Sequence, residues 1–370
     1  MPVAVARATL PAMSLAHPVD GQPLPPWSDP RAEQLRRAPR LARWWYALKP
    51  ASWPKLLVPA VLGQGAGALH AGRVDVAAAL LGGVFSVGLL VFIVLLNDWS
   101  DAGVDRVKRA LYPAERSPKT IPDRLLEAGA LLRAGLLSLA LAMVAAFAAE
   151  QLLARPWAGW AALACAGIFG AYSLPPLRLN YRGGGELLEA LGVGVALPVW
   201  NAYVQGGAAL PLVLWDLLPA FATLSLGSAL ASGLSDEVSD RRGGKRTFTT
   251  WLGNPRVCRA VLSSSLVAAA LFVLAPLVRL CGGSPDLRDA AAAGTRAARV
   301  AGPSATGALV AGGLGACFCV VAFVRMRRVS PAPRTDAFAS QALFKQRLHG
   351  AIWYGSVAVL ITRALLMGRG

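Results

Sequence analysis

The chain has 370 residues, of which 55% are apolar and only 15% are charged, with 37 Lys and Arg against 20 Asp and Glu. Because an average globular protein has about 25% charged residues, this composition argues against soluble domains and indicates a membrane protein. Basic loops beside apolar spans explain the net charge of +17 better than a nucleic-acid interface does, so we expect no nucleic-acid partner.

The first part of the chain is rich in Pro, Arg and polar residues and lacks the apolar run of a secretory signal. We predict a disordered segment at residues 1–39, followed by one transmembrane domain at residues 40–370. At the start of that domain, Arg40 and Arg43 precede the aromatic residues Trp44 and Trp45. Such cations and amphipathic rings are typical of an interfacial anchor, and a solvated linker is the alternative.

Apolar runs follow, each close to the roughly 20 helical residues that cross the hydrocarbon core of a bilayer. They predict an all-α, polytopic membrane protein with about nine transmembrane helices, at residues 56–72, 76–96, 125–149, 157–174, 187–205, 212–234, 260–280, 306–324 and 350–367. The fifth and sixth runs are divided at Gly206, Gly207 and Pro211, because these residue types interrupt helices. Arg133 lies within the third run, and we expect its long side chain to extend to the membrane surface.

Lys and Arg are distributed unevenly among the predicted loops. The N-terminal segment and the loops after the even-numbered runs carry most of them, whereas the loops after the odd-numbered runs carry few. Because cytoplasmic loops retain positive charge, we expect the N-terminus on the cytoplasmic side of the cell's inner membrane. The C-terminus and an Ala- and Gly-rich connection at residues 281–305 are then expected outside.

Two acidic clusters lie at the ends of the second and sixth runs, on the predicted cytoplasmic face. The first cluster, with carboxylates at i, i+3 and i+7, is Asn97, Asp98, Asp101 and Asp105. These three carboxylates are expected within about 60° of one helical face. The second cluster, with carboxylates at i and i+4, is Asp236 and Asp240. Either cluster alone could be a solvated helix end, but both at matching topological positions favour a shared site.

Carboxylates gathered at one membrane face repel one another unless a cation lies between them. Mg²⁺ prefers oxygen ligands, holds one or two protein carboxylates and completes its shell with water and substrate phosphate. We therefore predict a site for Mg²⁺ and a diphosphate, with the metal held by Asp98, Asp101, Asp105, Asp236 and Asp240. Lys119 and Lys245 are the expected phosphate contacts, although positive-inside topology alone would also place basic residues here.

These motifs resemble the UbiA superfamily of intramembrane prenyltransferases over about residues 49–367. The first family signature, NDxxDxxxD, is met in full by the first cluster, and the second, DxxxD, by the second cluster, with Gly-Lys-Arg-Thr following at residues 244–247. The resemblance implies a helical bundle open to lipid that uses Mg²⁺ to transfer a prenyl group from an isoprenyl diphosphate to an acceptor, usually aromatic. It also implies catalytic roles for Asn97 and the aspartates of both clusters.

The loop that begins at Tyr172 and ends at Glu186 resembles the corresponding loop of quinone-pathway members, particularly the 1,4-dihydroxy-2-naphthoate branch. This similarity implies substrate-binding roles for Tyr172 and Arg178. Some relatives have a YxxxK element here, whereas this chain has Pro176, so a cationic role would pass to Arg178. The implied acceptor is a small aromatic quinone precursor.

Other functions remain open from the sequence. A member of the same family could use another acceptor or act as a terpene cyclase, because both would keep the two Asp motifs. An ion-coupled transporter would bind a coupling ion through such carboxylates, but transporter sites usually lie near the bilayer midplane. A CDP-alcohol phosphotransferase would need one contiguous acidic motif, and the chain does not contain it.

Overall fold

The computed structural model describes residues 29–113, 117–282, 305–329 and 337–367, and these ranges are helical with connecting turns and loops. The helices in chain order are α1 (Pro30–Arg37), α2 (Arg40–Ala47), α3 (Pro54–Ala71), α4 (Val76–Ser100), α5 (Ala102–Leu111), α6 (Ala128–Leu152), α7 (Ala158–Ser173), α8 (Leu179–Arg182), α9 (Gly185–Gly206), α10 (Leu212–Ser232), α11 (Glu237–Arg242), α12 (Phe248–Leu252), α13 (Asn254–Gly282), α14 (Ala305–Arg328) and α15 (Phe338–Met367). Two of them contain π-helical turns, α9 at Gly192–Ala196 and α15 at Ala351–Gly355.

Each of the apolar runs predicted from the sequence falls on one of these helices. In the described part of the chain, seven helices are long and apolar enough to cross a membrane: α4, α6, α9, α10, α13, α14 and α15. The predicted fold class, an all-α polytopic membrane protein, is confirmed. The helices α3 and α7 have only 18 and 16 residues, so the number of nine crossings stays a prediction.

The division between the fifth and sixth runs lies where the turn-forming residues predict it. Helix α9 ends at Gly206, and Gly207 adopts a φ of 79°, which is a left-handed conformation that favours glycine. Pro211 then precedes the first residue of α10. This turn reverses the chain between two membrane helices.

Small residues bring α3 and α9 into close contact inside the bundle. A Cβ atom on Gly63 would lie 2.2 Å from the carbonyl oxygen of Pro198, and one on Gly67 would lie 2.5 Å from that of Ala202. No side chain fits at either position without moving the backbone. Glycines one helical turn apart are common where membrane helices pack. Lipid provides no hydrophobic driving force for helix association, so the helices depend on close van der Waals contact.

The predicted disordered segment needs a correction at its end. Residues 1–28 lie outside the described residues, but Pro30–Arg37 forms α1. Asp29 stabilises this helix, because one of its carboxylate oxygens accepts a hydrogen bond from the backbone N–H of Arg31 at 2.9 Å. The other oxygen accepts from the buried Arg109 at 3.0 Å, which ties α1 to the helical domain. Most of the predicted external connection, residues 283–304, also lies outside the described residues.

A buried cluster of charges lies within the apolar helices. Both carboxylate oxygens of Asp216 on α10 accept hydrogen bonds from Arg279 on α13, at 2.9 Å or less, and one also accepts from Arg363 on α15 at 3.1 Å. These residues are not among those predicted from the sequence, and the one charge singled out there, Arg133, is exposed on α6. The available signal was the presence of opposite charges in three separate apolar runs, since such charges usually pair.

Candidate functional site

The first acidic cluster spans the junction of two helices. Asn97 and Asp98 lie in the last turn of α4, Asp105 lies in the first turn of α5, and Asp101 connects the helices with a φ of −92° and a ψ of 5°. The expectation of one continuous helical face is therefore corrected. The chain departs from ideal α-helix at Asp101, and the carboxylates on its two sides have different partners.

Asp98 is held between two segments that are distant in sequence. Its side chain is 5% exposed; one of its oxygens contacts the ammonium group of Lys49, and the other accepts a hydrogen bond from the Thr120 hydroxyl at 2.6 Å. Burial by itself would lower the pKa of Lys49, but the charges of Asp98 and Asp105 raise it above its usual value. Lys49 and Thr120 are not among the site residues predicted from the sequence, because only the fold brings them to α4.

The two acidic clusters come together through an exchange of lysines. Lys245, which follows the second cluster, lies 2.8 Å from an oxygen of Asp101 in the first cluster. Lys108, which follows the first cluster, contacts Asp236 in the second. The helices α5 and α11 pack closely here. A Cβ atom on Gly243, the residue after α11, would lie only 2.6 Å from the Val104 side chain. These contacts place the two acidic clusters next to each other.

The second cluster begins at Asp236, which precedes α11, and continues to Asp240 within that helix. The side chain of Asp240 is buried, and it forms no ion pair with any residue in the described ranges. Burial raises the pKa of Asp240 to about 6. The backbone N–H of Lys245 donates to the carbonyl oxygen of Asp240 at 2.8 Å. A buried carboxylate in this position is a ready partner for a cation.

Lys119 lies on the loop between α5 and α6 and pairs with Asp105 at 2.6 Å. Burial by itself would raise the pKa of Asp105, but the charges of Lys119 and Lys49 hold it below its usual value. The backbone N–H of Lys119 donates to the side chain of Asp123 at 2.5 Å. That carboxylate also pairs with the fully buried Arg109 at 2.9 Å, which fixes the loop in place.

The loop after α7 covers the other side of the first cluster. Arg178 donates to the carbonyl oxygen of Ser100 at 2.5 Å and lies over the ring of Tyr181, 3.7 Å from its centroid. The Ser173 hydroxyl donates to the Oδ1 atom of Asn97 at 2.8 Å. The side chain of Arg178, a residue predicted to bind substrate, thus contacts the backbone at the end of α4.

Lys245 is surrounded by several polar and charged groups of the site. Burial by itself would lower the pKa of Lys245, but the Asp101 carboxylate and the Tyr172 phenol, together with Asp240, hold it well above its usual value. Its ammonium nitrogen also lies 5.3 Å from the centroid of the Tyr181 ring. The predicted residues Tyr172 and Lys245 therefore lie in one neighbourhood, next to the first cluster.

The donor set fits Mg²⁺ better than a transition metal. Within the described residues, no group of three His, Cys, Asp or Glu side chains is arranged to hold one metal ion. Mg²⁺ does not require such a group, since it commonly takes one or two protein carboxylates and completes its octahedron with water and phosphate. The available donors are carboxylate oxygens from two helix ends, which are the hard ligands that Mg²⁺ prefers.

Comparisons with known proteins agree with this architecture. A UbiA homolog from Archaeoglobus fulgidus, solved with DMAPP and Mg²⁺, aligns with 84% of this chain and 99% of its own at 17% identity, with a TM-score of 0.56. An apo UbiA homolog from Aeropyrum pernix K1 aligns with 81% of this chain and 96% of its own at 19% identity, with a TM-score of 0.51. A structure concerning digeranylgeranylglyceryl phosphate synthase aligns with 88% of this chain and 98% of its own at 11% identity, with a TM-score of 0.54.

At these identities the solved structures establish the fold alone. No curated protein sequence matches the chain significantly. The family model of the UbiA prenyltransferase family matches residues 56–346, which include both acidic clusters and the ion pairs of Lys108, Lys119 and Lys245. Because this match covers well over half of its length, the chain belongs to the UbiA prenyltransferase family.

Proposed function

We propose that this protein is a Mg²⁺-dependent prenyltransferase that transfers the prenyl group of an isoprenyl diphosphate to a small aromatic acceptor. The acceptor is a quinone precursor, and 1,4-dihydroxy-2-naphthoate is the specific candidate. One observation carries the proposal: Lys108 and Lys245 each follow one acidic cluster and pair with an aspartate of the other. Two separate motifs therefore supply carboxylates and ammonium groups to one place, as a diphosphate and its metal ions require.

The aspartates that would hold Mg²⁺ are Asp98, Asp101, Asp105, Asp236 and Asp240. When bound there, Mg²⁺ would act as a Lewis acid that neutralises the charge developing on the leaving diphosphate, an effect of several kcal/mol. The solved A. fulgidus homolog structures bound to DMAPP and Mg²⁺ and to GPP and Mg²⁺ support this assignment.

The lysines have two sets of partners in this proposal. Without substrate they neutralise the aspartates, as the pairs of Lys49, Lys119 and Lys245 show. With a diphosphate and its metal ions bound, the aspartates would hold the metal ions and the ammonium groups of the lysines would contact phosphate oxygens. Because an ammonium group is a compact charge on a flexible stem, this change of partner needs rotation of side chains and no movement of helices.

The reaction breaks the bond between the first prenyl carbon and the diphosphate oxygen and forms a carbon–carbon bond to the aromatic ring. The ring then loses a proton to restore its aromaticity. Tyr172 and Arg178 are proposed to position the substrates, because Tyr172 lies near Lys245 and Arg178 contacts the end of α4. Asn97, held by Ser173, keeps its amide beside the first aspartate.

We also propose that both acidic clusters face the cytoplasm across the inner membrane. The excess of Lys and Arg in the loops on the side of the clusters supports this orientation. The diphosphate would then enter from the aqueous side of that face, while its prenyl chain lies among the apolar helices.

The decisive experiment is an assay with protein purified into lipid nanodiscs. Labelled isoprenyl diphosphates of several lengths are incubated with Mg²⁺ and with dihydroxynaphthoate, 4-hydroxybenzoate or homogentisate, and the lipid-soluble products are separated. We expect acceptor-dependent formation of a prenylated aromatic product, greatest with dihydroxynaphthoate. Cyclised hydrocarbon formed without an acceptor would instead identify a terpene cyclase, and the absence of any diphosphate turnover would refute both assignments.

A further inference from the structure

A cavity of about 500 Å³ is lined in part by the residues that follow Lys245. Arg182 and Arg246 line it together with Gly183, Gly184 and Trp251, and none of the lining residues is an aspartate of either acidic cluster. Lys245 pairs with Asp101, whereas the next residue, Arg246, lines this cavity. The cavity therefore lies beside the candidate active site and is lined by none of its paired lysines and aspartates.

A short backbone contact places the two arginines side by side. Arg182 and Arg246 form an isolated parallel bridge, in which the backbone N–H of Arg246 donates to the carbonyl oxygen of Tyr181 at 3.1 Å. Both arginines are exposed, and neither guanidinium group forms an ion pair with any residue that the structure describes. Two adjacent positive charges that no described ion pair engages favour the binding of an anion.

The cavity lies where a membrane helix begins. Gly184 comes directly before α9, and the apolar side chains of Leu187 and Leu191, in the first two turns of that helix, are 53% and 45% exposed. Trp251, on the other wall, is 75% exposed. Because tryptophan is enriched where headgroups meet hydrocarbon, these residues place the cavity at the depth of lipid headgroups.

We propose that this cavity binds the headgroup of an anionic phospholipid. Arg182 and Arg246 contact the phosphate through their planar guanidinium groups, which match phosphate oxygens in pairs. The acyl chains then lie along Leu187 and Leu191, and Trp251 borders the headgroup. Free phosphate would gain nothing from those apolar contacts, so a lipid fits better. The site does not depend on the proposed prenyl transfer.

The test measures lipid binding to detergent-purified protein by native mass spectrometry. Phosphatidylglycerol and phosphatidylcholine with identical acyl chains are titrated separately. We expect wild type to bind phosphatidylglycerol about tenfold more tightly than phosphatidylcholine, because each basic residue near a membrane surface favours anionic lipid. The double variant Arg182→Gln, Arg246→Gln is expected to lose that preference, and each single variant is expected to lose about threefold.

A matched control removes the same charge elsewhere. Arg256 and Arg259 are exposed on α13 and do not line the cavity, so Arg256→Gln with Arg259→Gln is expected to keep the preference. The proposal is overturned if the cavity variants bind phosphatidylglycerol like wild type, or if the control variant loses as much. Displacement of the lipid by an equal concentration of inorganic phosphate would likewise overturn it, in favour of a free-anion site.

Discussion

Lys245 and Asp101 are 144 positions apart in the sequence, yet the Nζ atom of one lies 2.8 Å from an oxygen of the other. The contact between Lys108 and Asp236 joins the same two segments, but here the lysine follows the first cluster and the aspartate belongs to the second. Because each lysine follows one cluster and binds the other, the clusters are not independent, solvated helix ends. The pairing makes each lysine a natural target for mutation.

The substitution Lys245→Met is expected to lower kcat/KM for the isoprenyl diphosphate by about 10- to 100-fold, since a hydrogen bond to a charged group contributes about 1.5–3 kcal/mol. Steady-state assays at several diphosphate concentrations measure this loss. Arg242 is the matched control, because it is exposed and close in sequence. Arg242→Gln should leave kcat/KM within about twofold of wild type. Equal losses of kcat/KM in both variants would mean that Lys245 acts only through the overall positive charge and not through a specific contact.

The substitutions Asp98→Asn and Asp236→Asn are expected to abolish prenyl transfer, because each removes a charge from the proposed metal site. The exposed carboxylate Glu127 provides the control, and Glu127→Gln should retain full activity. Radiolabelled product formation in nanodiscs measures both results. Full activity of either aspartate variant would contradict the proposed role of its cluster.

A second variant separates stability from catalysis at this position. Asp236→Asn removes the charged contact between Asp236 and the buried ammonium group of Lys108, and loss of a buried ion pair is costly inside a protein. The double variant Lys108→Met, Asp236→Asn should therefore unfold at a higher temperature than Asp236→Asn alone, as measured by thermal unfolding in detergent. Its prenyl transfer should stay absent, because the metal ligand is still missing.

Removal of Mg²⁺ is expected to stop turnover without unfolding the protein. Lysines already neutralise the carboxylates of Asp98, Asp101 and Asp105 in the structure, so no metal is needed to relieve their repulsion. Thermal unfolding with and without a chelator should give nearly equal midpoints, while the transfer assay shows no product until Mg²⁺ is restored. Undiminished turnover after exhaustive chelation would contradict Mg²⁺ dependence.

Some features of this fold could be predicted from local sequence, and others could not. The apolar runs and the Gly207 and Pro211 turn depend on nearby residues, and the structure agrees with them. The spacing of the Asp motifs likewise identified both acidic clusters. Lys49 and Thr120, which hold Asp98, could not be predicted, because their approach depends on how distant segments pack.

The helix α1 shows why the disorder prediction was incomplete. Its residues are polar and charged, and a short helix of this kind is marginal by itself in water. Its anchor is the contact of Asp29 with Arg109, which lies on a different helix. A prediction from composition cannot include such a contact, because the partner is contributed by the folded domain.

The buried Arg109 is expected to position the loop that carries Lys119. Arg109 pairs with Asp123 at 2.9 Å, and Asp123 accepts from the backbone N–H of Lys119 at 2.5 Å. Asp123→Ala should therefore lower the unfolding temperature and raise KM for the diphosphate, because Lys119 loses its backbone support. Activity assays and thermal unfolding measure the two effects.

The control for Asp123 is Glu33, which also pairs with arginines but has 42% of its side chain exposed to solvent. Exposed ion pairs contribute only about 0–1 kcal/mol, so Glu33→Gln should change neither quantity appreciably. If Asp123→Ala lowered stability but left KM unchanged, Asp123 would be a purely structural residue.

The charge cluster inside the apolar helices yields a last prediction about stability. Asp216 pairs with both Arg279 and Arg363, and two nitrogen atoms of Arg363 already lack a hydrogen-bond partner in the described structure. Asp216→Asn would leave two buried guanidinium groups without a carboxylate, and breaking a buried pair in this way costs about 3–5 kcal/mol. We expect poor recovery of folded protein and a much lower unfolding temperature. Arg133→Leu, at an exposed position on α6, should leave both unchanged, and a comparable loss there would mean that any membrane charge matters equally.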